Sequence, residues 1–256
     1  MPASRVVAAD VMLPLVNGLP RAILFDLDGT ILSEGRRRLQ LQDIADAHAH
    51  HFAPLTATQA ADLMEQEFVA FWNDAERHRE WRAKPLIETR RHLARRAFAV
   101  LKRAGAEVDD ELANTFADRF HAHRQSQVCC FPGAVETLAE LQRRGVVMAL
   151  ITNGTGEAQR GKIERWGLAS YFHHIQIEGE HGFGKPEERA YRHAMAALGV
   201  APGDCWMVGD NLEWEVAAPQ RLGIMGVWVD PWDEGLPPGH TARPDRVIRG
   251  LSDLLG

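Results

Sequence analysis

The chain has 256 residues, of which 45% are hydrophobic and 25% are charged, and its formal net charge is −6. This composition is that of a globular protein without low-complexity bias, and the length suits one large domain or two modest ones. The negative charge argues against a general nucleic-acid-binding protein, whose phosphate contacts need clustered Lys and Arg, but it leaves small phosphorylated substrates open.

The cysteine content and the apolar runs predict a cytoplasmic protein. The chain has three cysteines, Cys129, Cys130 and Cys205. Because the number is odd and the first two are adjacent, we expect no disulfide framework. Residues 1–20 are expected to form an arm without chemistry. Their apolar stretch at 11–16 is broken by a proline and lacks the basic flank and cleavage pattern of a signal peptide. No run reaches the length of a membrane span.

The first predicted element is a buried strand, Ala22–Phe25, which leads straight into two acidic residues. Asp26 and Asp28 are two positions apart, so they begin on one side of the strand. They stand at its carboxyl end, where open α/β sheets bind ligands, and Gly29 lets the chain turn away at once. Two ionised carboxylates this close require a cation or a shared proton. An ordinary surface turn is the alternative interpretation.

A long helical segment, residues 31–130, separates this strand from the next. The next buried strand is predicted at 146–152, after a helix over 132–144. A parallel crossover needs only about a dozen residues, and this segment is far longer. Its length therefore indicates an inserted domain. Apolar residues at helical spacing predict four helices in it, near 39–49, over 60–72, around 93–101, and after an N-cap at Asp109 or Asp110.

After residue 152, strands and helices alternate, which is typical of a parallel sheet covered by helices. Strands are predicted at 173–177, 206–208, 224–229 and 246–248, and helices at 154–166, 187–198, 212–222 and 251–255. We therefore expect an α/β protein with a doubly wound, mostly parallel Rossmann-like sheet and an inserted α-helical cap domain. The predicted core comprises residues 1–34 and 129–256, and the predicted cap residues 35–128.

Polar residues collect at four places along this pattern. They are Asp26-Leu27-Asp28-Gly29-Thr30, Thr152-Asn153-Gly154, Gly184-Lys185-Pro186 and Gly209-Asp210-Asn211. Each group alone is weak evidence of a functional site, but in a parallel sheet all four groups meet at one edge. The four groups occur in this order around a helical insert. In this respect the sequence resembles the haloacid dehalogenase-like (HAD) hydrolase superfamily, and specifically its members with a helical cap inserted after the first strand.

The resemblance implies an aspartate nucleophile, Asp26, that forms an aspartyl-phosphate, and a general acid and base at Asp28. It implies that Thr152, Asn153 and Lys185 hold the phosphoryl oxygens. Electrostatics supports this set, because each pair of like unit charges at 4 Å costs about 4 kcal/mol at an effective dielectric of 20. An anionic nucleophile attacking a phosphate monoester therefore needs positive charge nearby, and Lys185 supplies one.

The resemblance also implies Mg²⁺, with the Asp26 carboxylate, the Asp28 main-chain carbonyl and the Asp210 carboxylate as ligands. One position departs from the family pattern. Five residues after Asp210 the family usually carries a second Asp, whereas this chain has Glu215. Glu215 would reach the metal through water, or Glu213 would take part instead. The alternative is that both are solvated acids at a helix start, favoured by the helix dipole.

Asp28 favours phosphoryl transfer among the reactions that the superfamily catalyses. In dehalogenases of the superfamily the halide leaves without a proton, and the residue two after the nucleophile is not Asp. We therefore expect a Mg²⁺-dependent phosphatase that hydrolyses a small-molecule phosphate monoester. The alternatives are a phosphomutase, a 2-haloacid dehalogenase and a non-catalytic phosphate-binding protein. The expected partner is a small phosphorylated substrate, with no nucleic acid or membrane; the oligomeric state stays open, a homodimer included.

Two further patterns are interpreted as structural. Histidines cluster at 48–51, at 121–123 and at 173–174, but none of these clusters has the i, i+4 spacing of a metal-binding helix. We interpret them as surface or packing histidines. The three arginines at 36–38 are interpreted as a solvated helix start, with steering of an anionic substrate as the alternative.

Overall fold

The structure is a computed structural model of the chain, and it describes residues 18–81 and 84–256. Most of the predicted arm, residues 1–20, therefore lies outside the described residues. Among the helices that are described, none combines the length and the apolar character that crossing a membrane requires.

Strand β1 (Ala22–Phe25) is completely buried, as its run of apolar residues predicts. A tight loop leads from it to the two-residue strand β2 (Leu32–Ser33). The backbone N–H of Leu32 donates to the Leu27 carbonyl at 2.8 Å. This bond closes the loop and fixes the backbone that carries Asp28.

The insert that follows is helical, as predicted, and its described part contains one helix more than the four expected. The helices are α1 (Arg37–Ala47), α2 (Ala57–Asn73), α3 (Ala75–Trp81), α4 (Leu86–Arg103) and α5 (Asp110–Gln127). Asp109 is the N-cap of α5, since its side chain accepts from Leu112 N at 2.8 Å. At the start of α2, Thr56 and Gln59 form a reciprocal capping box. The sequence therefore specifies where these two helices begin.

The insert packs around an apolar core of its own. The ring of Phe98 contacts those of Phe52 and Phe116, with centroids 6.1 and 5.4 Å apart. Buried aliphatic side chains from α1, α2 and α4 surround these rings. The insert is thus a helical bundle, and the domain boundary at residues 35–128 stays a prediction.

The remaining elements build the α/β part of the molecule. They are β3 (Cys129–Cys130), α6 (Ala134–Arg143), β4 (Val147–Thr152), α7 (Gly156–Arg165), β5 (His174–Ile177), α8 (Glu178–His181), α9 (Glu188–Leu198), β6 (Cys205–Gly209), α10 (Ala218–Gln220), β7 (Met225–Val229) and β8 (Arg246–Ile248). β3 pairs antiparallel with β2, so the chain leaves for the insert and returns from it through one short two-stranded neck.

Six parallel strands form the main sheet, in the order β5-β4-β1-β6-β7-β8. β1 lies in the middle, with Phe25 opposite Leu150 of β4 and Val208 of β6. Alternate side chains of β1 face two different apolar clusters, one on each side of the sheet. The predicted doubly wound α/β fold is confirmed, and the carboxyl ends of β1, β4 and β6 lie side by side.

The chain differs from the prediction after β6. The helix expected over 212–222 is a π-helical turn, Leu212–Ala217, followed by the three-residue α10. Pro219 lacks the N–H that a regular helix needs at this point. The Asn211 side chain caps the turn by accepting from the N–H groups of Glu213 and Trp214, both at 3.0 Å. This turn decides where the acidic residues beyond Asp210 point.

Candidate active site

Asp26 directly follows β1 at the middle of the sheet, where it meets a buried lysine from another loop. Lys185 lies between α8 and α9, and its Nζ donates to Asp26 Oδ1 at 2.5 Å. The other carboxylate oxygen of Asp26 accepts from Thr30 Oγ1 at 3.2 Å. The side chains of Lys185 and Asp26 are only 1% and 9% exposed. The ammonium and the carboxylate therefore compensate each other away from water.

Glu215 provides a second carboxylate to Lys185. Its Oε1 lies 2.7 Å from Lys185 Nζ, and its Oε2 accepts from Asn211 N at 2.7 Å. Gly209 makes room for it, because a Cβ at Gly209 would lie 2.1 Å from Glu215 Cγ. The glutamate side chain folds back over the end of β6, which accommodates the methylene that it has in excess of an aspartate.

Asp210 lies at the end of β6, pressed against the loop after β1. A Cβ on Gly29 would lie 2.3 Å from Asp210 Oδ2, and the φ of Gly29 is +86°. Only glycine lets the loop pass this close to the carboxylate. Burial raises the pKa of Asp210 well above its usual value, and the charges of Asp26 and Glu215 raise it further. To stay ionised, this carboxylate needs more positive charge than Lys185 supplies.

Three carboxylates, those of Asp26, Asp210 and Glu215, thus gather about the ammonium group of Lys185. Burial raises the pKa of Glu215 to about 7, although Lys185 lowers it, and Asp26 adds to the rise. When all three carboxylates are ionised, negative charge exceeds positive charge in this cluster, and its donor atoms are hard oxygens. Such a set fits Mg²⁺. The groups that would hold the ion are the Asp26 and Asp210 carboxylates and the Asp28 main-chain carbonyl.

The side chain of Asp28 is held by a different lysine. Lys162 Nζ donates to Asp28 Oδ1 at 2.7 Å, and Gln159 Nε2 donates to Oδ2 at 2.9 Å. Lys162 also donates to Glu34 Oε1 at 2.8 Å, and Glu34 in turn pairs with Arg124 of α5. Burial raises the pKa of Asp28 in spite of Lys162. A carboxyl group that keeps its proton more readily than usual suits a general acid.

Thr152 and Asn153 lie at the end of β4, next to the lysine loop. The Thr152 hydroxyl accepts from Gln159 Nε2 at 2.5 Å. The Asn153 side chain donates to the Lys185 carbonyl at 2.7 Å and accepts from Lys185 N at 2.9 Å. Both ends of the Asn153 amide therefore hold the backbone of Lys185, a positioning role that the sequence did not indicate.

Cavities lie between the core and the helical insert. One of about 560 Å³ is lined by Asp28 and Asp210 on the core side and by residues at the start of the insert. A smaller one of about 170 Å³ lies between Trp72 and Trp81 of the insert and Asn153 of the core. The acidic cluster thus has space for a small ligand between the sheet edge and the helical insert.

A model of a known family, described as haloacid dehalogenase-like hydrolase, matches residues 20–223. The chain belongs to the haloacid dehalogenase-like hydrolase family. The chain is similar to the phosphoserine phosphatase of Thermus thermophilus, with 40% identity over 146 residues, which are 57% of each chain. It is 26% identical to the glyceraldehyde 3-phosphate phosphatase of Methanopyrus kandleri over 248 residues, 91% of this chain and 98% of that one. The match thus spans little more than half of the first relative.

Solved structures of HAD proteins share the fold. The HAD-hydrolase YfnB of Bacillus subtilis superposes with a TM-score of 0.65 at 22% identity, covering 92% of this chain and 97% of that one. The L-2-haloacid dehalogenase of Xanthobacter autotrophicus gives a TM-score of 0.60 at 19% identity, covering 93% and 97%. Since phosphatases and dehalogenases both share this fold, only the site can decide between the two reactions.

The structure brings together all the residues that the HAD motifs predicted and adds others that they did not. Gln159 and Lys162 are three positions apart on α7, so they share one face of that helix and both reach Asp28. Their i, i+3 spacing alone does not distinguish them from other polar residues on the surface of a helix. Of the two acids left open beyond Asp210, Glu215 joins the cluster, whereas Glu213 is exposed and pairs with Arg221.

Proposed function

We propose that this HAD hydrolase is a Mg²⁺-dependent phosphatase that hydrolyses a small-molecule phosphate monoester through a phosphoryl-Asp26 intermediate. The observation that carries the proposal is the buried contact of 2.5 Å between Asp26 and Lys185, with Asp210 beside it at the same sheet edge. The names of the phosphatase relatives support it.

Asp26 is held ready as the nucleophile. Thr30 and Lys185 each donate to one of its carboxylate oxygens, so the group cannot rotate freely. An oxygen of Asp26 attacks phosphorus, the bond from phosphorus to the ester oxygen breaks, and the leaving oxygen takes a proton from Asp28. Bound Mg²⁺ would supply positive charge against the phosphoryl oxygens.

Hydrolysis of the intermediate reverses the role of Asp28. Once it has given up its proton, the Asp28 carboxylate can accept one from water as that water attacks the phosphoryl group on Asp26. Inorganic phosphate leaves, the Asp26 carboxylate is regenerated, and Asp28 is protonated again. Lys185 and the Thr152 hydroxyl are the groups that hold phosphoryl oxygens during both steps. The alcohol that leaves a phosphate ester needs a proton, whereas a halide does not. A general acid at Asp28 therefore favours a phosphate ester over a haloacid as the substrate.

The helical insert would act as the cap that selects the substrate. Its α5 reaches the site through Arg124, which pairs with Glu34 and so with Lys162 and Asp28. Closure of the insert over the sheet edge would exclude water from the aspartyl-phosphate. The cavity of about 560 Å³ that Asp28 and Asp210 line has room for a small substrate, in agreement with the small substrates that the relatives' names indicate.

Steering of the substrate by the arginines at the start of the insert is not part of the proposal. Arg37 pairs with Glu65 at 2.7 Å, and Arg38 pairs with Asp62 at 2.7 Å. Arg36 pairs with Glu234. Each guanidinium is compensated by an acidic side chain, so the interpretation as part of a helix surface is preferred.

The test is hydrolysis of a chromogenic aryl phosphate by the intact protein, with Mg²⁺ and with a chelator. We expect phosphate release that requires Mg²⁺ and is lost in Asp26→Asn. Halide release from a 2-haloacid, or transfer of phosphate to a second hydroxyl of a sugar phosphate, would replace the proposal by a dehalogenase or a phosphomutase. Binding of phosphate without turnover across a broad substrate panel would indicate a non-catalytic protein.

A further inference from the structure

Three histidines from three different elements converge outside the active site. They are His174 of β5, His181 of α8 and His193 of α9. One ring nitrogen from each lies within 4.8 Å of one ring nitrogen of the other two. In sequence, His174 stands beside His173, but in the fold it faces His181 and His193 instead.

The hydrogen bonds of these rings leave a nitrogen available on each. The Nδ1 of His181 lies 3.1 Å from the Ile177 carbonyl, and the Nδ1 of His193 lies 2.8 Å from Gln176 Oε1. Both partners are oxygens that only accept, so in each ring Nδ1 carries the hydrogen and Nε2 keeps its lone pair. Among the described residues, the buried Nε2 of His174 has no hydrogen-bond partner.

We propose that His174, His181 and His193 form a binding site for a divalent transition-metal ion of the Zn²⁺ type. Imidazole suits Zn²⁺, Cu²⁺ and Ni²⁺, and three histidines with one open position are a known ligand set for zinc. Metal-binding histidines typically donate their second ring nitrogen to a carbonyl or carboxylate oxygen, which is what His181 and His193 do.

The distances suit this assignment. Around a tetrahedral ion with Zn–N bonds of about 2.0–2.1 Å, ligand nitrogens stand roughly 3.4 Å apart. The ring nitrogens are at most 4.8 Å apart here, so binding of an ion would bring the three rings closer together. The ring of Phe183 contacts both His181 and His193, with centroids 5.7 and 5.5 Å apart, and covers one side of the group.

The site would differ from the Mg²⁺ site in chemistry and in position. Its ligands are imidazoles rather than carboxylates, so the two sites select different ions. An ion bound here would join β5, α8 and α9, and the loop between α8 and α9 carries Lys185. Glu178 of α8 also accepts from Gly154 N at 3.2 Å, next to Asn153. Zinc would therefore hold the segment that presents Lys185 to Asp26.

The test is calorimetric titration of the intact protein with Zn²⁺ in a large excess of Mg²⁺, which occupies the carboxylate site. We expect one equivalent of Zn²⁺ to bind, and His193→Gln to weaken binding by at least about tenfold, since even outer partners of metal ligands have effects of that size. His181→Gln should do the same. The matched control is His50→Gln, an exposed histidine of the insert, which should bind like the unchanged protein.

A second measurement separates the site from other zinc ligands, such as the exposed Cys129. At a Zn²⁺ concentration of about 100 times Kd, the Tm should rise by roughly 5–10 °C in the unchanged protein and in His50→Gln, and by much less in His193→Gln. Absence of Zn²⁺ binding, or equal affinity in His193→Gln and His50→Gln, would overturn the proposal. Neither measurement depends on phosphatase activity.

Discussion

Two lysines of this protein each hold a pair of carboxylates, and the two groups have different surroundings. The Lys185 cluster comprises Lys185, Asp26 and Glu215, and its members come from the sheet edge alone. The second group, the Lys162 cluster, comprises Lys162, Asp28 and Glu34 and reaches the helical insert through Arg124.

Burial distinguishes the two clusters. Lys185 and Glu215 are 1% exposed, whereas Lys162 is 13% and Asp28 30% exposed. The two aspartates of the Asp-x-Asp motif therefore have separate counter-ions and separate environments. Separate environments of this kind allow two neighbouring carboxylates to take different roles in one reaction. Asp26, the proposed nucleophile, is held by the core alone, whereas Asp28, the proposed acid and base, is linked to the insert through Lys162, Glu34 and Arg124.

Breaking the Lys185 cluster should have the largest effect. Lys185→Met leaves the buried carboxylates of Asp26 and Glu215 without their cation, which should lower the free energy of unfolding by about 3–5 kcal/mol. Phosphatase activity should fall by at least about 10²–10³, since an electrostatic contact to the phosphoryl group is lost. Urea unfolding and steady-state kinetics measure the two effects. Lys102→Met, on the exposed side of α4, is the control and should change neither; a Lys185→Met enzyme of normal activity contradicts the account.

Gly29→Ala tests how closely the loop and Asp210 must pack. The added Cβ would overlap the Asp210 carboxylate at 2.3 Å, so Mg²⁺ affinity should fall by about 10–100-fold. Gly145→Ala is a matched control, because Gly145 also has a positive φ, +79°, but has no atom within 4 Å of its Cβ position. Both variants bear the backbone strain, and only Gly29→Ala should lose Mg²⁺ in a calorimetric titration. Equal loss in both would mean that strain, not the overlap, is responsible.

Within the Lys162 cluster, Lys162→Met should act on turnover and leave substrate binding nearly intact. Asp28 loses the donor that orients its carboxyl group, so kcat should fall by about 10–100-fold, while KM changes little. Stability should change far less than in Lys185→Met, because this cluster is partly exposed. Kinetics over a range of substrate concentrations separates the two parameters. If kcat stays unchanged, Lys162 does not position Asp28.

The smallest effect is expected from Glu34→Gln. Burial alone would raise the pKa of Glu34, but Lys162 and Arg124 lower it to about 2 from the model-peptide value of 4.5. The ionised glutamate therefore stabilises the fold at pH above 4.5, and this contribution is lost as the pH falls toward 2. The difference in unfolding free energy between the two proteins should be largest near neutral pH and should shrink below pH 4.5. If the difference in unfolding free energy does not depend on pH, it arises from packing and not from the charge of Glu34.

The sequence predicted those parts of the molecule that follow from parallel strand order. Asp26, Asp210 and Lys185 are far apart in the chain, but each follows a strand or opens a helix at one sheet edge, so their meeting could be foreseen. The insert could be foreseen for a similar reason, since a crossover does not need so many residues. Amphipathic spacing and caps then predicted four of the five helices in its described part, and α3 was not foreseen.

Other features depend on contacts that carry no regular pattern. Lys162 and Gln159 look like ordinary polar residues on a helix surface until the position of Asp28 is known. The two-residue strands of the neck are too short to show alternation. Glu215 could be assigned only when the π-helical turn and the space at Gly209 were seen together. The contacts of these residues depend on tertiary packing and not on the local sequence.

The central claim is that Asp26 becomes covalently phosphorylated, and mass spectrometry of the acid-quenched enzyme during turnover tests it most directly. In the presence of Mg²⁺ and an aryl phosphate, the peptide that contains Asp26 should gain one phosphoryl group, and Asp26→Asn should gain none. Asp28→Asn should accumulate the modified peptide, because the base that activates water is absent. A phosphoryl group on another residue, or full turnover by Asp26→Asn, would contradict the account.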